Sequence, residues 1–377
     1  MKIYKLDKAY FETFQKLGCE KIGSKILETK AKLHTIYISN LPVGAANILK
    51  QDALSVGADL AVPRGTILAL DKYVDVILVG TTKHLKILSK KELTQPFGLN
   101  IVAKKLKKFI SSYRYDIKIM GVVNANDDSF YSKSRFKDKN AINQIEQMIK
   151  DGATIIDIGA VSSRPGSSKV PVEEELKRVQ PICDIIKQKA LYKKAIFSID
   201  SYSPQVIEYA LKSGFTIVND ITGLKSKKVA RLVAKYDATV VIMHMQGTPK
   251  TMQQNPSYDN VIYDVDKFFE KRIKKAHKYG INKIILDVGI GFGKSLEHNL
   301  SLLKNMEHFS HFGYEVLIGA SRKSMINSIV PSEVDERLSG TLAIHLDSIS
   351  KGASIVRCHD VKEHFQAIEV YKKINKL

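Results

Sequence analysis

From residue 117 to the C-terminus, eight short apolar runs each end in polar or charged residues, and a helix-length segment separates each run from the next. The runs are rich in Ile and Val and apolar on both faces, which is typical of parallel strands buried beneath helices. Eight strand–helix units in about 260 residues predict an α/β fold, a closed (β/α)8 TIM barrel. The strands are expected at 118–123, 154–159, 195–199, 216–218, 239–243, 283–286, 315–318 and 354–356. Because such barrels carry their chemistry at the carboxyl ends of the strands, function is expected there.

Residues 1–115 do not follow this pattern and predict a small α+β domain that precedes a barrel domain at 116–377. Helices are expected near 8–17, 42–56 and 99–110, and strands at 34–39, 59–62, 66–70 and 74–79. No catalytic constellation is recognisable in this segment, so a second enzyme fused to the barrel is not expected. Its role stays open at this point.

Composition limits the class of protein. The net charge is +20, and residues 1–115 hold 20 Lys/Arg against 9 Asp/Glu. Lysines scattered along the whole chain are typical of solvated faces, so nucleic acid is not expected as a partner. Three distant cysteines predict neither a disulfide framework nor a structural zinc site and suit a cytoplasmic protein. No apolar run has the length of a signal peptide core or a membrane span, so a membrane location is not expected.

Acidic and amide side chains follow three of the predicted strands. Asp200, Asp220 and Asp287 end the third, fourth and sixth strands, and Asn219 lies beside Asp220. Around one barrel mouth these groups could bind a metal, act as acid and base, or hold a heterocycle that carries several donors. The alternative for any single residue is a structural role, because Asp and Asn often cap helices or brace loops.

Cations follow the second, seventh and eighth strands, where they predict an anionic substrate group such as phosphate. They are Arg164, Lys323, Arg357 and His359. The alternative is that a cation only pairs with a carboxylate at the rim. The glycine-rich segment 287–294 lacks the spacing of a nucleotide loop. Its glycines instead favour close backbone approach to a flat ligand, with Phe292 as an apolar wall.

Nine motifs follow one another along the predicted barrel. They are, in chain order, MGVVNANDDSF, SSRPG, IDS, VNDITG, IMHMQGTPKTMQ, LDVGIGFGK, IGASRKSMI, ERLSGTLA and VRCHDV. In combination they resemble the dihydropteroate synthase family of pterin-binding barrels. The resemblance covers residues 117–373 and leaves the first 115 outside it. It implies a transferase that joins 6-hydroxymethyl-7,8-dihydropterin diphosphate to 4-aminobenzoate, with release of diphosphate. It also implies a homodimer formed through late helices.

The resemblance further implies a role for individual residues. The pterin would be held by Asp200, Asn219, Met243, Asp287, Lys323 and Arg357. The 4-aminobenzoate would lie against Ser163, Pro165, Phe292, Lys323 and Ser324. The diphosphate would be bound by Asn124, Arg164, Arg357 and His359, with Mg2+ as cofactor on Asn124. Lys323, Arg357, His359 and Arg164 would be the catalytic residues, and the loops after the first two strands would close over the site.

Two other functions stay open. A pterin-binding methyltransferase of the methyltetrahydrofolate type would share Asp200, Asn219 and Asp287, but it would not need the cations at Arg164, Lys323 and Arg357. A basic binding module for RNA or a protein partner, led by residues 1–115, would have no need to keep the acids of the barrel mouth. Turnover with the pterin diphosphate and the amine distinguishes both from a synthase.

Overall fold

The computed structural model describes residues 1–4, 6, 11–111, 113, 115–125, 135–161 and 170–375, and in 135–140 the backbone alone. The chain divides into two compact units, Met1–Ser112 and Tyr113–Leu377. Each unit has a hydrophobic core of its own.

The first unit is a three-stranded antiparallel sheet with helices. Its strands are β1 (Leu33–Pro42), β2 (Asp59–Ala61) and β3 (Tyr73–Thr81), in the order β1-β3-β2. Its helices are α1 (Phe11–Lys16), α2 (Lys21–Ala31), α3 (Val43–Val56), α4 (Thr82–Lys91) and α5 (Leu99–Phe109). Strand β3 alternates exposed and buried side chains, so that Val74, Val76 and Leu78 pack under the helices. The expected α+β class of this region is confirmed.

Two details of this unit differ from expectation. The strand predicted at 66–70 is wrong, because Thr66–Leu68 forms a 3-10 turn. Gly65 and Ala69 on either side have positive φ angles of 86° and 52°, which are incompatible with an extended strand. Helix α2 was not predicted, since its exposed apolar side chains at Ile22 and Ile26 blur the helical pattern.

The second unit is a closed barrel of eight parallel strands surrounded by helices, and the (β/α)8 prediction is confirmed. The strands are β4 (Lys118–Asn124), β5 (Ile155–Gly159), β6 (Ile196–Asp200), β7 (Ile217–Asp220), β8 (Thr239–Met243), β9 (Ile284–Asp287), β10 (Glu315–Ile318) and β11 (Ile355–Cys358). The helices are α6 (Arg135–Lys150), α7 (Val172–Gln188), α8 (Pro204–Lys212), α9 (Lys227–Lys235), α10 (Val261–Lys278), α11 (Leu296–Lys304), α12 (Ser324–Ile329), α13 (Leu338–Ser350) and α14 (Val361–Asn375). Strand β11 pairs with β4 and closes the ring.

Several strands extend one or two residues further than predicted. Asn124, Asp200, Asp287 and Arg357 are strand residues rather than loop residues. Their backbones are therefore hydrogen-bonded to neighbouring strands, which gives the side chains a rigid base.

A buried apolar layer fills the middle of the barrel. It consists of Met120, Ile155, Ile217, Val241, Ile285, Leu317 and Ile355. Alternate residues of a strand face the same side, so the residues two positions further along each strand also point into the barrel, one layer nearer the mouth. In the part of the chain that is described, no helix combines the length and the apolar character needed to cross a membrane.

Candidate active site

The layer of side chains between the buried apolar layer and the mouth holds several of the predicted polar residues. Two positions after Ile155, Ile217, Val241, Ile285 and Ile355 in sequence come Asp157, Asn219, Met243, Asp287 and Arg357. Asp200 ends β6 beside them, since its Cα pairs with Gly159 on one side and Asn219 on the other. One ring of strand ends thus collects three acids, an amide, a thioether and a guanidinium.

Asp157 is the buried centre of this ring. Its Oδ2 accepts a hydrogen bond from Arg357 Nε at 2.7 Å and another from Asn219 Nδ2 at 3.0 Å. The side chain of Asp157 is fully buried, and its Oδ1 has no hydrogen-bond partner among the described residues. Sequence reasoning missed Asp157, although a carboxylate inside an apolar strand and in phase with Ile155 was a usable signal.

Arg357 joins two carboxylates. Besides its bond to Asp157, its Nη2 donates to Asp200 Oδ2 at 2.8 Å. Burial opposes the charge on Arg357, yet Asp157 and Asp200 raise its pKa above the ordinary guanidinium value. Burial also raises the pKa of Asp200 to about 7, although Arg357 pulls it down. The acid and the cation that were predicted to share a ligand therefore lie in direct contact.

Asp287 and Lys323 organise the opposite side of the mouth. Asp287 Oδ1 accepts the backbone N–H of Gly289 at 2.8 Å, which bends the glycine loop back over the strand end. Lys323 Nζ donates to the carbonyl of Ile290 and lies 4.4 Å from the ring centroid of Phe292. Loss of solvation lowers the pKa of Lys323 to about 8, against the attraction of Asp287.

Lys294 is a second residue that sequence reasoning missed. It is buried, and its Nζ lies 2.9 Å from Gly289 O, 3.0 Å from Phe292 O and 3.0 Å from His244 Nδ1. An ammonium group has three protons to donate, so Lys294 holds the glycine loop against the end of β8. Its motif, a glycine-rich loop that ends in Lys, was visible, but it was interpreted as a place for close approach to a flat ligand, and Lys294 was given no role.

Asp220 has the alternative role given above for a single acid, because it braces a loop. Its carboxylate accepts the backbone N–H and the hydroxyl of Thr222, at 2.8 and 2.6 Å, and the N–H of Leu224 at 3.1 Å. These bonds brace the loop after β7. Asp220 is fully buried and does not join the contacts of the mouth.

The remaining predicted residues that the structure describes lie at or after the ends of strands. His359 is exposed, and its Nδ1 lies 2.9 Å from Ser321 Oγ. Ser324 is exposed at the start of α12. Asn124 is partly buried at the end of β4, and its Cα pairs with Gly159. Ser163, Arg164 and Pro165 lie outside the described residues.

The amide oxygen of Asn124 is a hard donor, of the type that Mg2+ takes. Mg2+ commonly takes few protein ligands when substrate phosphate and water supply the others. Another group of potential ligands, Asp266, His308 and His311, belongs to the helical layer, with donor atoms within 4.8 Å of one another. Two imidazole nitrogens do not suit Mg2+.

Comparison with known proteins identifies the family of the chain. The pterin binding enzyme family matches residues 120–359. A bifunctional dihydropteroate synthase/dihydropteroate reductase from Helicobacter pylori is 42% identical over 361 residues, covering 96% of this chain and 95% of that protein. The dihydropteroate synthase of Escherichia coli is 42% identical over 255 residues, covering 67% of this chain and 89% of that protein.

A solved structure extends the comparison to the fold. The dihydropteroate synthase of Clostridium difficile, solved in the presence of pteroic acid, superposes with a TM-score of 0.65 at 39% identity. The superposition covers 71% of this chain and all of that one, so it corresponds in length to the barrel unit. With its barrel, its ring of acids and cations, and these relatives, the chain belongs to the dihydropteroate synthase family of pterin-binding enzymes.

Proposed function

We propose that the barrel mouth condenses 6-hydroxymethyl-7,8-dihydropterin diphosphate with 4-aminobenzoate to give 7,8-dihydropteroate and diphosphate. The observation that carries this proposal is the contact between Arg357 and Asp200, at 2.8 Å. Asp200 can accept hydrogen bonds from the donors of a ring, and Arg357 can bind an anion. Because the two side chains are in contact, both can reach one substrate. A pterin-binding methyltransferase would require no such pairing.

The acids orient the pterin in this proposal. Asp200 uses Oδ2 for Arg357, and Asp287 uses Oδ1 for Gly289, so each keeps a second carboxylate oxygen for the N–H donors of the ring. The Nδ2 of Asn219 donates to Asp157, so the carbonyl oxygen of Asn219 is left to accept a hydrogen bond from the ring. Each charge-assisted hydrogen bond contributes about 1.5–3 kcal/mol. Met243 offers an apolar face, and Lys323 donates to the ring carbonyl.

The reaction breaks the bond between the pterin methylene carbon and its diphosphate oxygen, and forms a bond from that carbon to the amine nitrogen. The electron pair of the broken bond leaves with diphosphate, and the amine gives up one proton. Arg357, His359 and Arg164 stabilise the departing charge. Mg2+ held by Asn124 would neutralise part of the diphosphate charge. The chain needs no nucleophile of its own.

The 4-aminobenzoate lies in this proposal against Phe292, whose ring is already covered on one side by the Lys323 ammonium. Ser324 lies next to Lys323, at the first residue of α12. Ser163 and Pro165, which lie outside the described residues, are assigned to the same pocket in this proposal. Holding the amine in line with the methylene carbon can lower the barrier by roughly 7–11 kcal/mol.

The test is an assay of the full chain with the pterin diphosphate, 4-aminobenzoate and Mg2+, following both dihydropteroate and diphosphate. We expect Asp200→Ala, Lys323→Ala and Arg357→Ala to remove most turnover while the protein stays folded by circular dichroism. Release of diphosphate without dihydropteroate, or methyl transfer from methyltetrahydrofolate in its place, would contradict the proposal.

A second candidate function concerns residues 1–112. The Helicobacter pylori relative carries dihydropteroate reductase in its name and aligns with 96% of this chain, so its match includes this unit. The Escherichia coli synthase aligns over a barrel length only. We infer from this difference that the chain also reduces dihydropteroate, and that the first unit is required for it.

This second candidate is tested with dihydropteroate and NADH or NADPH, with and without added flavin. We expect tetrahydropteroate to form with the full chain and not with the Escherichia coli synthase used as a barrel-only control. If dihydropteroate stimulates no oxidation of the nicotinamide cofactor under any of these conditions, the reductase is excluded while the synthase stands.

We also propose a homodimer through the late helices. Val370 and Ile374 are four residues apart on α14 and therefore share one face of the helix, where they are 55% and 74% exposed. Large exposed apolar side chains on one part of a surface are common at subunit interfaces. Light scattering should give twice the chain mass, and Val370→Glu with Ile374→Glu should give the monomer.

A further inference from the structure

Two buried histidines connect the ends of β10 and β11. His345 lies in α13 and His364 in α14, and each is 1% exposed. His345 Nε2 accepts the backbone N–H of Ala320 at 3.1 Å, and His345 Nδ1 lies 2.8 Å from His364 Nε2. His364 Nδ1 in turn lies 2.6 Å from the carbonyl oxygen of Asp360. The chain of contacts thus runs from one strand end to the next.

The direction of each hydrogen bond in this series of contacts follows from the groups at its two ends. A backbone N–H only donates, so His345 Nε2 carries a lone pair. A carbonyl only accepts, so His364 Nδ1 carries a proton. With both rings neutral, a single assignment satisfies the middle contact: His345 Nδ1–H donates to the lone pair of His364 Nε2. Both rings are then Nδ1–H tautomers.

A further proton on either imidazole ring would break this series of hydrogen bonds. It would have to go to His345 Nε2, where it would face the N–H of Ala320, or to His364 Nε2, where it would face the Nδ1–H of His345. Burial lowers the pKa of both rings; for His345 the positive charge of Lys323 acts in the same direction, and for His364 burial outweighs the opposing effect of Asp360 and Glu363. The geometry and the surroundings therefore both favour two neutral imidazoles.

The two ends of this chain belong to the loops that carry rim cations. Ala320 O accepts the N–H of Lys323 at 3.3 Å, so Ala320 begins the turn that presents Lys323. Asp360 follows His359, and its carboxylate binds Arg322 through two bonds, at 2.9 and 2.6 Å. Ser321 and His359 make a third link. Of these three links, only the histidine pair is shielded from water, so it is the one that solvent competes with least.

We propose that His345 and His364 are positioning residues: two neutral Nδ1–H imidazoles that hold the Lys323 turn and the His359 loop in one fixed arrangement. The kinetic part of this inference rests on the proposed synthase function. The residues touch neither substrate and act through the backbone at Ala320 and Asp360. A displacement of these loops would misplace Lys323 and His359 together, and small misplacements of binding groups can lower rates by roughly 100-fold.

The first test needs no turnover. Nitrogen-15 NMR of the full chain with labelled histidine distinguishes a protonated ring nitrogen from one with a lone pair. We expect the resonances that disappear in His345→Gln and His364→Gln to report N–H at Nδ1 and a lone pair at Nε2, at neutral pH. An Nε2–H tautomer or a doubly protonated ring at either position would overturn the proposal.

The second test is kinetic. We expect His345→Ala and His364→Ala to lower kcat/KM for the pterin diphosphate by about 10- to 100-fold, and the double variant to fall no further, because residues that act as a unit are not additive. His345→Gln, whose amide can accept from Ala320 and donate to His364, should recover part of the loss. His311→Ala, which removes another buried histidine, this one from the helical layer, should lower stability but leave kcat/KM within about threefold.

Folded His345→Ala and His364→Ala proteins with wild-type kcat/KM would refute the positioning role. Failure of the wild-type chain to form dihydropteroate would instead refute the synthase proposal and leave the assignment of the ring protons intact. The two failures are therefore separable.

Discussion

Individual side chains in the barrel mouth depend on shared partners. Arg357 is bound by Asp157 and Asp200 at once, and Asp157 also orients Asn219. The loss of one member leaves the others buried with an unmatched charge or an undefined orientation, which costs more than the bond itself. At this scale, affinity for a pterin depends on residues that need not touch it.

Asp157→Asn tests this dependence. The substitution keeps the volume but removes the charge that faces Arg357, so we expect KM for the pterin diphosphate to rise roughly tenfold and the free energy of unfolding to fall by about 1–3 kcal/mol. Steady-state kinetics and urea denaturation measure the two effects. The matched control is Asp237→Asn, which removes an acid bound to Lys283 on the surface and should change neither. Unchanged KM in Asp157→Asn would remove it from the site.

The pH dependence of kcat/KM follows from two groups. The carboxylate of Asp200 must be ionised to accept the donors of the pterin, and its pKa is raised to about 7 by burial, so binding weakens as the pH falls through that value. The ammonium of Lys323 must be protonated, and its pKa is lowered to about 8, so binding weakens as the pH rises through that value. We expect a bell-shaped profile with a maximum between the two. A profile that is flat from about pH 6 to 9 would contradict both roles.

Most of the described site was predictable, because its residues end predictable strands. Asp200, Asn219, Asp287, Lys323 and Arg357 were found where an apolar run gives way to polar residues. Asp157 and Lys294 were not, since one lies inside a strand and the other inside a loop motif. His345 and His364 gave no local signal, because their contact is formed by two helices that meet only in the folded barrel.

At the scale of elements, the apolar runs predicted the existence of the barrel strands more accurately than the residues at which those strands end. The barrel strands were all found, whereas 66–70 in the first unit formed a turn instead. A barrel strand is supported by two neighbours and a repeated pattern, but a short segment such as 66–70 depends on the local backbone. Two positive φ angles are enough to prevent a strand there.

The glycine loop after β9 gives an element-scale prediction. Gly289 has φ of 68°, and a Cβ there would lie 1.9 Å from the carbonyl oxygen of His244. Gly280 has a similar φ of 78° but nothing within 4 Å. Gly280→Ala therefore measures the backbone cost alone, about 1–2 kcal/mol. We expect Gly289→Ala to cost at least about 2 kcal/mol more in urea denaturation and to lower synthase activity. Equal costs would show that the loop can move aside.

At the scale of the whole chain, two units with separate cores divide the proposed activities. All described residues of the candidate synthase site lie in Tyr113–Leu377. The core of the first unit is built from side chains such as Leu49, Leu60 and Leu78, which are fully buried. We therefore expect a substitution in that core to destabilise the first unit and to leave the rate of condensation unchanged.

Leu78→Ala tests this division. Removal of a fully buried leucine side chain costs about 2–5 kcal/mol. The variant should show an earlier unfolding transition and lose any reduction of dihydropteroate, while its synthase rate stays within about twofold of wild type. Ile285→Ala, in the apolar layer of the barrel, should reduce synthase activity. A parallel loss of synthase activity in Leu78→Ala would show that the units are coupled.

The buried apolar layer of the barrel also limits how such a sequence can change in length. Because neighbouring residues of a strand face opposite sides, deletion of one residue between Ile155 and Asp157 would turn the carboxylate toward the helices and bring Ile158 into the mouth. The segments between strands do not have this two-residue alternation, so they can gain or lose single residues. Natural variation in length among related chains should therefore fall between the strands and spare the strands themselves.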